Sequence, residues 1–154
     1  MLTQGKYLYY GDDLSNVYHI RNEVFCKELG MKEQDEKDGR DDSSVHVLIF
    51  SYDDTMKPVA TGRIAYDGNT YIIDKVCVIK EERNKYYGDF VVRMLVNKAF
   101  LSGANEVLVE TYSQNIKFYE KIGFVVSGNP YDKLNEEYIK LILRTESICK
   151  KCTR

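Results

Sequence analysis

The stretch YIIDKVCVIKEERNKYYGDFVVRMLVNKAF, residues 71–100, changes its apolar pattern once and so indicates the kind of fold. Its first part is mostly apolar and β-branched, which is typical of a buried strand. Its later part places apolar residues on one helical face, which predicts a helix over residues 88–101. The turn between them contains one glycine, Gly88, and turns that join a strand to a helix N-terminus commonly hold phosphate groups.

The segments on either side predict an antiparallel meander before this stretch and strand–helix units after it. The predicted strands lie at residues 6–10, 45–52, 58–66, 70–79, 106–111, 124–128 and 137–144. The other predicted helices lie at residues 14–29 and 114–122. Because a parallel neighbour requires a crossover helix, this order predicts an α/β (α+β) fold. Its centre would be a mixed, mostly antiparallel sheet of about seven strands flanked by helices.

The length and charge of the chain argue against some classes of function. A chain of 154 residues with 44% hydrophobic content can bury one core and is short for two, which predicts a single domain over residues 1–145. Its 22 basic and 24 acidic residues are spread along the chain, so we expect no nucleic-acid partner. No apolar run reaches the roughly 18 residues of a membrane helix, and the start lacks a signal-peptide pattern. We therefore expect a cytoplasmic protein without membrane contact.

The four cysteines give little reason to expect a metal. Cys26 and Cys77 lie in apolar periodic segments and are predicted to be buried thiols. Cys149 and Cys152 form a C-x-x-C in a C-terminal tail, residues 146–154, that we expect to be flexible; a metal or redox role for this pair is the alternative. A zinc site needs about four ligands, and the chain supplies only two histidines. The expectation is a function without a metal.

Four stretches match one family pattern in their order along the chain. FYEKIGF, residues 118–124, has the spacing F-Y-x-x-x-G-F, and VCVIKEERNKYYG, residues 76–88, ends a strand with V-x-V before a helix. GRIAY, residues 62–66, places G-R in a strand, and IRNEVFCKELG, residues 20–30, precedes an acidic segment and His46. Together they resemble the Gcn5-related N-acetyltransferase (GNAT) family, and its ElaA-like subgroup in particular, over roughly residues 18–143.

The resemblance implies a fold and a donor. The fourth and fifth strands would splay apart to admit acetyl-CoA, and the N–H groups of the following helix start would hold its diphosphate. An amide near Val76 or Cys77 would polarise the acyl carbonyl. The positions implied to bind this cofactor are Val76, Cys77, Val78, Arg83, Asn84, Lys85, Tyr86, Tyr87, Gly88, Asp89, Asn115 and Phe118.

The resemblance also implies roles in the chemistry. Tyr119 would give a proton to the departing thiolate, because a phenol with a pKa of about 10 stays protonated at neutral pH. Asp74 and Glu110 are both candidates for the base that takes a proton from the amine, directly or through water. Direct transfer disfavours an acyl intermediate on Cys77, and no histidine lies near it in sequence to activate it.

The sequence says less about the residues that bind the acceptor than about those that bind the donor. Arg21, Phe25 and Glu28 lie on the first predicted helix, which lines the acceptor side in the resembling family. Arg21 either meets a carboxylate of the acceptor or pairs with the acidic segment at residues 30–44. Tyr138 stands where the ElaA-like subgroup tends to have a histidine, which would change the acceptor.

The sequence departs from the family at Tyr86, where the R-x-x-G-x-G pattern has glycine. Because right-handed helical φ and ψ do not require glycine, a loop that is the first helical turn would keep its amides aimed at an anion. The predicted function is an acetyl-CoA-dependent N-acetyltransferase for a primary amine of a small molecule, with a homodimer left open. The alternatives are a CoA-binding sensor or regulatory module that has lost catalysis, and an acyl-homoserine-lactone-type synthase.

Overall fold

The fourth strand, Tyr71–Val78, lies in the middle of an eight-stranded sheet. The computed structural model describes residues 2–146. Their strands are β1 (Leu2–Leu8), β2 (Ser44–Tyr52), β3 (Met56–Tyr66), β4 (Tyr71–Val78), β5 (Glu106–Tyr112), β6 (Val125–Val126), β7 (Tyr131–Lys133) and β8 (Glu136–Arg144). The order in the sheet is β1-β2-β3-β4-β5-β8-β6, and β7 also pairs with β8. All these pairs are antiparallel except β4 with β5, so the prediction of a mixed, mostly antiparallel sheet is confirmed.

The helices of the described residues are α1 (Ser15–Arg21), α2 (Glu33–Glu36), α3 (Tyr87–Leu101) and α4 (Ile116–Ile122). The predicted helix at residues 14–29 is α-helical only as far as Arg21, because the chain continues as a π-helical segment over Asn22–Glu28. π-helical turns are wider than α-helical ones and often occur at functional sites. Phe25 and Glu28, two of the predicted acceptor residues, belong to this segment.

Helix α3 packs closely onto β3 and β4. Its apolar face, with Val91 and Leu95 fully buried, contacts the sheet at Gly62. A Cβ atom at Gly62 would lie only 2.6 Å from Val91 Cγ1 and 3.0 Å from Leu95 Cδ1. The glycine of the GRIAY stretch therefore allows the start of α3 to lie against the sheet beside Val76.

The fourth and fifth strands separate along their length, as the resemblance implies. Their parallel pairing joins only Tyr71 to Val107, Ile72 to Leu108 and Ile73 to Val109. Beyond Ile73, β4 pairs within residues 2–146 only with β3, and the pairing with β3 is itself irregular between Thr61 and Arg63. A gap thus opens between residues 74–78 of β4 and residues 110–112 of β5.

The sheet has eight strands rather than about seven, because β7 forms a tight hairpin with β8. Leu134 and Asn135 connect them with φ of 52° and 63°. Two consecutive left-handed residues are what a two-residue hairpin turn requires, and asparagine–glycine pairs are its usual sequence signal. Leucine at this conformation is unfavourable, so the sequence carried no local signal for this turn.

The structure bears on the predictions about membrane contact and about the C-terminal tail. No helix within residues 2–146 has the length and apolarity needed to cross a bilayer. Cys149 and Cys152 lie outside the described residues, as does most of the predicted tail. The single domain over residues 1–145 and the cytoplasmic location stay predictions.

Candidate active site

A cavity of about 260 Å³ lies where β4 and β5 separate. Residues 74–76 of β4 and 110–112 of β5 form two of its sides, and the segment after the π-helical turn and the β7–β8 hairpin contribute the others. It brings together six of the residues predicted for the site. They are Phe25, Asp74, Val76, Glu110, Asn115 and Tyr119.

Tyr119 lies in the wall of this cavity and is otherwise enclosed by aromatic rings. Its side chain is 2% exposed, and its ring meets those of Phe118 and Phe124 edge to face, with centroids 4.9 and 5.6 Å away. Burial raises the pKa of the Tyr119 hydroxyl, and a side-chain hydrogen bond with Thr111 offsets that shift only in part. The phenol therefore keeps its proton throughout the neutral range.

Asp74 is held by the buried Arg63. The Arg63 Nε and Nη2 atoms donate to the two carboxylate oxygens of Asp74 at 2.7 and 2.9 Å. The same guanidinium donates through Nη1 to Asp38 at 2.9 Å and to Asp41 at 3.0 Å. Burial disfavours a charge on Arg63, but these carboxylates raise its pKa above the ordinary value. Both oxygens of Asp74 therefore accept charge-assisted hydrogen bonds from one buried guanidinium, which fixes the carboxylate in place.

Glu110 faces Asp74 across the gap and is held from the other side. Its Oε1 accepts a hydrogen bond from Lys133 Nζ at 2.7 Å, and its Oε2 accepts one from the Tyr131 hydroxyl. Burial acts to raise the pKa of this carboxyl, but the hydrogen bonds from Lys133 and Tyr131 outweigh it and the pKa is lowered. Both partners come from the β7–β8 hairpin, and Lys133 is nearly half exposed, so this engagement is more easily broken than that of Asp74.

The turn before α3 offers its backbone to an anion. The N-cap residue of α3 is Tyr86, and no side-chain cap hydrogen bond is made there within residues 2–146, so the N–H groups of Gly88 and Asp89 in the first turn can meet an anion. Tyr86 has φ of 67° and ψ of 13°, and Asn84 has φ of 64°. The expectation that Tyr86 forms a right-handed first turn is therefore wrong: it takes the left-handed conformation that favours glycine. Its side chain is 85% exposed and lies outside the turn.

The charged side chains of this turn are paired within the protein. Arg83 donates to both carboxylate oxygens of Glu28 and, through Nε, to the Val78 carbonyl oxygen at 3.1 Å. Lys85 pairs with Glu82 at 3.0 Å. A helix N-terminus with left-handed residues before it presents successive N–H groups to one side, so the backbone supplies most of the anion-binding capacity here.

The remaining cofactor-loop residues pack or pair locally. Asp89 accepts a hydrogen bond from Arg93 one helical turn later, which directs its carboxylate along α3. Tyr87 is buried, and its hydroxyl is hydrogen-bonded to Ser51 at 3.0 Å. A Cβ atom at Gly88 would meet Phe118 Cζ at 3.3 Å, so Gly88 allows the start of α3 to pack against α4.

Arg21 does not line the cavity. It is 1% exposed and donates to Asp41 at 2.7 and 3.2 Å, and its Nε donates to Glu36. Of the two alternatives for Arg21, the geometry supports pairing with the acidic segment over contact with a substrate carboxylate. His46 is equally buried, and its Nε2 lies 3.0 Å from the Asp41 carbonyl oxygen. These contacts fix the acidic segment against α1 and the sheet.

Comparison with known proteins identifies the family of the chain. Residues 14–124 match the model of the Acetyltransferase (GNAT) family. The chain belongs to this family. It is 28% identical over 115 residues to the Bacillus subtilis (strain 168) protein YjcF, described as an uncharacterized N-acetyltransferase, over 75% of this chain and 80% of that protein.

Two solved structures share the fold of this GNAT protein. Escherichia coli ElaA matches with a TM-score of 0.77 and 20% identity, over 90% of this chain and 98% of ElaA. A GNAT family acetyltransferase from Elizabethkingia anophelis with acetyl-CoA bound matches with a TM-score of 0.64 and 16% identity. The match covers 92% of this chain and 97% of that one. Family membership gives the class of chemistry, which is acyl transfer.

Cys77 of this GNAT protein is buried among apolar side chains, as predicted, whereas Cys26 is partly exposed. Burial raises the pKa of the Cys77 thiol to about 12. A thiol that stays protonated is a poor nucleophile. Within residues 2–146, no group of three or more His, Cys, Asp or Glu side chains is placed to hold a metal ion.

Several cavity residues of the GNAT protein escaped sequence reasoning. Asp35 belongs to an acidic segment whose composition indicated only a loop, and Lys75 sits within an apolar strand pattern. Lys75 has φ of 56°, and burial lowers the pKa of its amine although the Glu36 carboxylate opposes this shift. Tyr112 and Lys133 gave no signal because their neighbours in space are distant in sequence. Tyr138, noted as a departure from the subgroup, does line the cavity.

Proposed function

We propose that the chain is an N-acetyltransferase that moves an acetyl group from acetyl-CoA to a primary amine of a small molecule by direct attack. The observation that carries the proposal is the edge of β4 beyond Ile73, which pairs with no strand on its β5 side within residues 2–146 and borders a cavity whose wall contains Tyr119. Family membership supports acyl transfer, and the acetyl-CoA bound to the Elizabethkingia anophelis relative supports the identity of the donor.

The chain's own groups fit the parts of this donor. The edge of β4 beyond Ile73 can pair with the amides of a pantetheine arm, in the manner of an added strand. The start of α3 can hold a diphosphate through the N–H groups of Gly88 and Asp89 in its first turn. When bound, acetyl-CoA supplies the activated acyl group as a thioester.

Tyr119 acts as the proton donor in this proposal. The amine nitrogen forms a bond to the acyl carbon, the carbon–sulfur bond breaks, and Tyr119 gives its proton to the departing thiolate. The raised pKa of the Tyr119 hydroxyl keeps this proton in place until the thiolate forms. The resulting phenolate regains its proton from solvent or from the amine as the product leaves.

Glu110 is the better placed of the two candidate bases. Its partners, Lys133 and Tyr131, come from a hairpin at the surface, whereas both oxygens of Asp74 are fixed by the fully buried Arg63. Glu110 would take the proton of the amine directly or through a water molecule. Asp74 then has a positioning role, since it links Arg63 to the strand that borders the donor.

Thermal unfolding with and without ligand tests donor binding. Free CoA and acetyl-CoA at about 100 times their Kd should each raise the free energy of unfolding by about 2.7 kcal/mol. Absence of any shift at millimolar ligand would refute a role for CoA altogether. If the ligands bind, release of free thiol from acetyl-CoA in the presence of a panel of primary amines tests transfer.

The variant Tyr119→Phe tests the proton donor. Loss of a general acid should lower kcat by about 100-fold or more while CoA binding stays intact. Tyr66→Phe is the matched control, because Tyr66 is half exposed and does not line the cavity. Unchanged turnover in Tyr119→Phe would remove this residue from the mechanism. Binding of CoA without turnover on any amine would favour a CoA-binding sensor instead.

A further inference from the structure

The charges that line the cavity are unequal. Four carboxylates border it, from Asp35, Asp38, Asp74 and Glu110, against the two amines of Lys75 and Lys133. Three of these carboxylates accept hydrogen bonds from basic side chains, as described for Asp38, Asp74 and Glu110. The fourth, Asp35, is half-buried, and its side chain has no hydrogen bond or ion pair with any other part of residues 2–146.

The backbone of Asp35 is held in place, although its carboxylate has no hydrogen-bond or ion-pair partner in the described part of the chain. It lies in α2, and the next residue, Glu36, is buried and bound through its side chain by Arg21. The Glu36 carbonyl oxygen also accepts a hydrogen bond from Lys75 Nζ at 2.9 Å. These contacts hold the backbone of α2 at the cavity wall, so less conformational entropy is lost when the Asp35 carboxylate binds a ligand.

Among residues 2–146, the basic side chains at or next to the cavity already have partners within the protein. Lys75 donates to Glu36, Lys133 donates to Glu110, and the guanidinium groups of Arg21 and Arg63 are enclosed by carboxylates. An acceptor with a negative group would therefore meet like charge at Asp35 without a compensating partner. Repulsion of this kind is a common means of rejecting the wrong ligand.

The other walls are aromatic. Phe25, Tyr112 and Tyr138 line the cavity, and the rings of Tyr112 and Tyr138 lie with their centroids 4.9 Å apart. Lysine amines already lie over two of these rings, Lys75 over Phe25 at 5.7 Å and Lys133 over Tyr138 at 5.3 Å, so the rings offer an acceptor mainly apolar surface for its methylene groups. Carboxylate and aromatic walls together suit an aliphatic chain that carries positive charge.

We propose that the acceptor is a small aliphatic amine with a second ammonium group, and that Asp35 binds this second group. The inference rests on the proposed function, because the first amine must be the one acetylated beside Tyr119. Asp35 is here a residue of specificity: it binds the part of the acceptor that does not react. At neutral pH the second amine stays protonated, since the pKa of an alkylamine is about 10.

Three acceptors with the same carbon chain length test the proposal. They are putrescine, which ends in a second amine, n-butylamine, which ends in a methyl group, and γ-aminobutyrate, which ends in a carboxylate. We expect kcat/KM to fall by about tenfold or more from putrescine to n-butylamine, and further to γ-aminobutyrate. Equal values for putrescine and n-butylamine would overturn the proposal and leave the proposed function standing.

The variant Asp35→Asn separates charge recognition from catalysis. It should raise KM for putrescine by about tenfold, and should lower the ratio of kcat/KM for putrescine to that for n-butylamine by about the same factor. Glu33→Gln is the matched control, because Glu33 is an exposed acid on the same short helix that does not line this cavity. An equal loss of activity on both amines in Asp35→Asn would contradict the assignment.

Direct binding decides the matter if no amine is turned over. Calorimetric titration of the CoA-saturated protein should show putrescine binding at least about tenfold tighter than n-butylamine, and Asp35→Asn should abolish the difference. This result without thiol release would refute the proposed transfer and retain the charge recognition. No preference between the two amines would refute the recognition itself.

Discussion

Arg83 and Glu28 are bound to each other, although the sequence assigned one to the donor and the other to the acceptor. The two terminal guanidinium nitrogens of Arg83, Nη1 and Nη2, donate to the carboxylate of Glu28 at 2.8 and 2.6 Å. The hydrogen bond from Arg83 is the main cause that lowers the pKa of Glu28, and the same bond raises the pKa of Arg83. The pair therefore ties the turn before α3 to the π-helical segment, and it holds Arg83 away from any anion at that turn.

Removal of the competing carboxylate should strengthen CoA binding. In Glu28→Gln, Arg83 loses its charged partner and becomes available to the diphosphate. Because the pair is partly exposed, we expect Kd for CoA to fall by only about twofold to fivefold, and the gain to shrink at high salt. Isothermal titration calorimetry at two salt concentrations measures both effects. Glu23→Gln is the control, since Glu23 pairs with Lys27 on the same segment; weaker CoA binding in Glu28→Gln would show that the pair positions Arg83 for the ligand.

Glu110 and Asp74 should respond differently to loss of charge. Glu110→Gln removes the proposed base and should lower kcat by about 100-fold, with little change in the free energy of unfolding. Asp74→Asn leaves the buried Arg63 with one fewer carboxylate and should cost about 3 kcal/mol or more of stability. Stopped-assay kinetics and urea unfolding of both variants measure the two quantities.

The reverse outcome has a clear meaning. If Asp74→Asn keeps the free energy of unfolding of the unmodified protein but loses turnover, Asp74 is the base and Arg63 serves to orient it.

The dependence of the reaction rate on pH gives a second test of Glu110. The pKa of the Glu110 carboxyl is lowered by Lys133 and Tyr131 against the effect of burial, so its acid limb should lie below the ordinary range of a glutamate. Lys133→Met should move that limb to higher pH, because it removes the first of the two hydrogen bonds.

Much of the sheet was predictable because its central strands are nearly continuous apolar runs and its meander has clear turn residues. The predicted strand at residues 6–10 begins at Leu2 instead, since β1 is an edge strand with mostly exposed residues and so gives little apolar pattern. The β7 strand was missed for a related reason. It has three residues, and its turn places Leu134 at positive φ, which tertiary pairing with β8 imposes on an unsuitable residue.

The donor half of the candidate site was more predictable than the acceptor half. A strand, a turn and a helix start follow one another in sequence, so residues near Gly88 and Tyr119 could be placed by motif. The cavity walls formed by Asp35, Lys75 and Lys133 come from three distant segments, and nothing in the sequence states which charges meet. The donor half also contained a feature that the sequence did not predict. The left-handed backbone of Tyr86 is set by the turn, and tyrosine is not a residue that indicates this conformation.

Gly62 should be far more sensitive to a methyl group than Gly88. In Gly62→Ala the new Cβ would overlap Val91 and Leu95, which are fully buried and cannot move away, so we expect a loss of about 1 to 3 kcal/mol. In Gly88→Ala the nearest atom is Phe118 Cζ at 3.3 Å, at the tip of a partly buried ring, and the loss should be smaller. Urea unfolding measures both, and equal losses would show that α3 is free to shift on the sheet.

His46 should make the fold less stable in mild acid. Its Nδ1 has no hydrogen-bond partner among residues 2–146, and burial lowers its pKa below 6.5, with Arg21 and Arg63 acting in the same direction against Asp41. Between that lowered pKa and 6.5 the unfolded chain binds more protons than the folded one. The contribution of the neutral His46 to the free energy of unfolding is therefore fully present above pH 6.5. It falls as the pH drops below 6.5, by up to about 1.4 kcal/mol per pH unit.

Urea unfolding at about pH 7.5 and about pH 5.5 measures this loss, in a window above that of the carboxylates with lowered pKa. His46→Gln should remove most of the pH dependence even if it lowers stability at both values. His19→Gln should leave the dependence unchanged, because His19 is exposed and is the chain's only other histidine. A slope that persists in His46→Gln would mean that another group titrates in this range, and that the buried imidazole is not the cause.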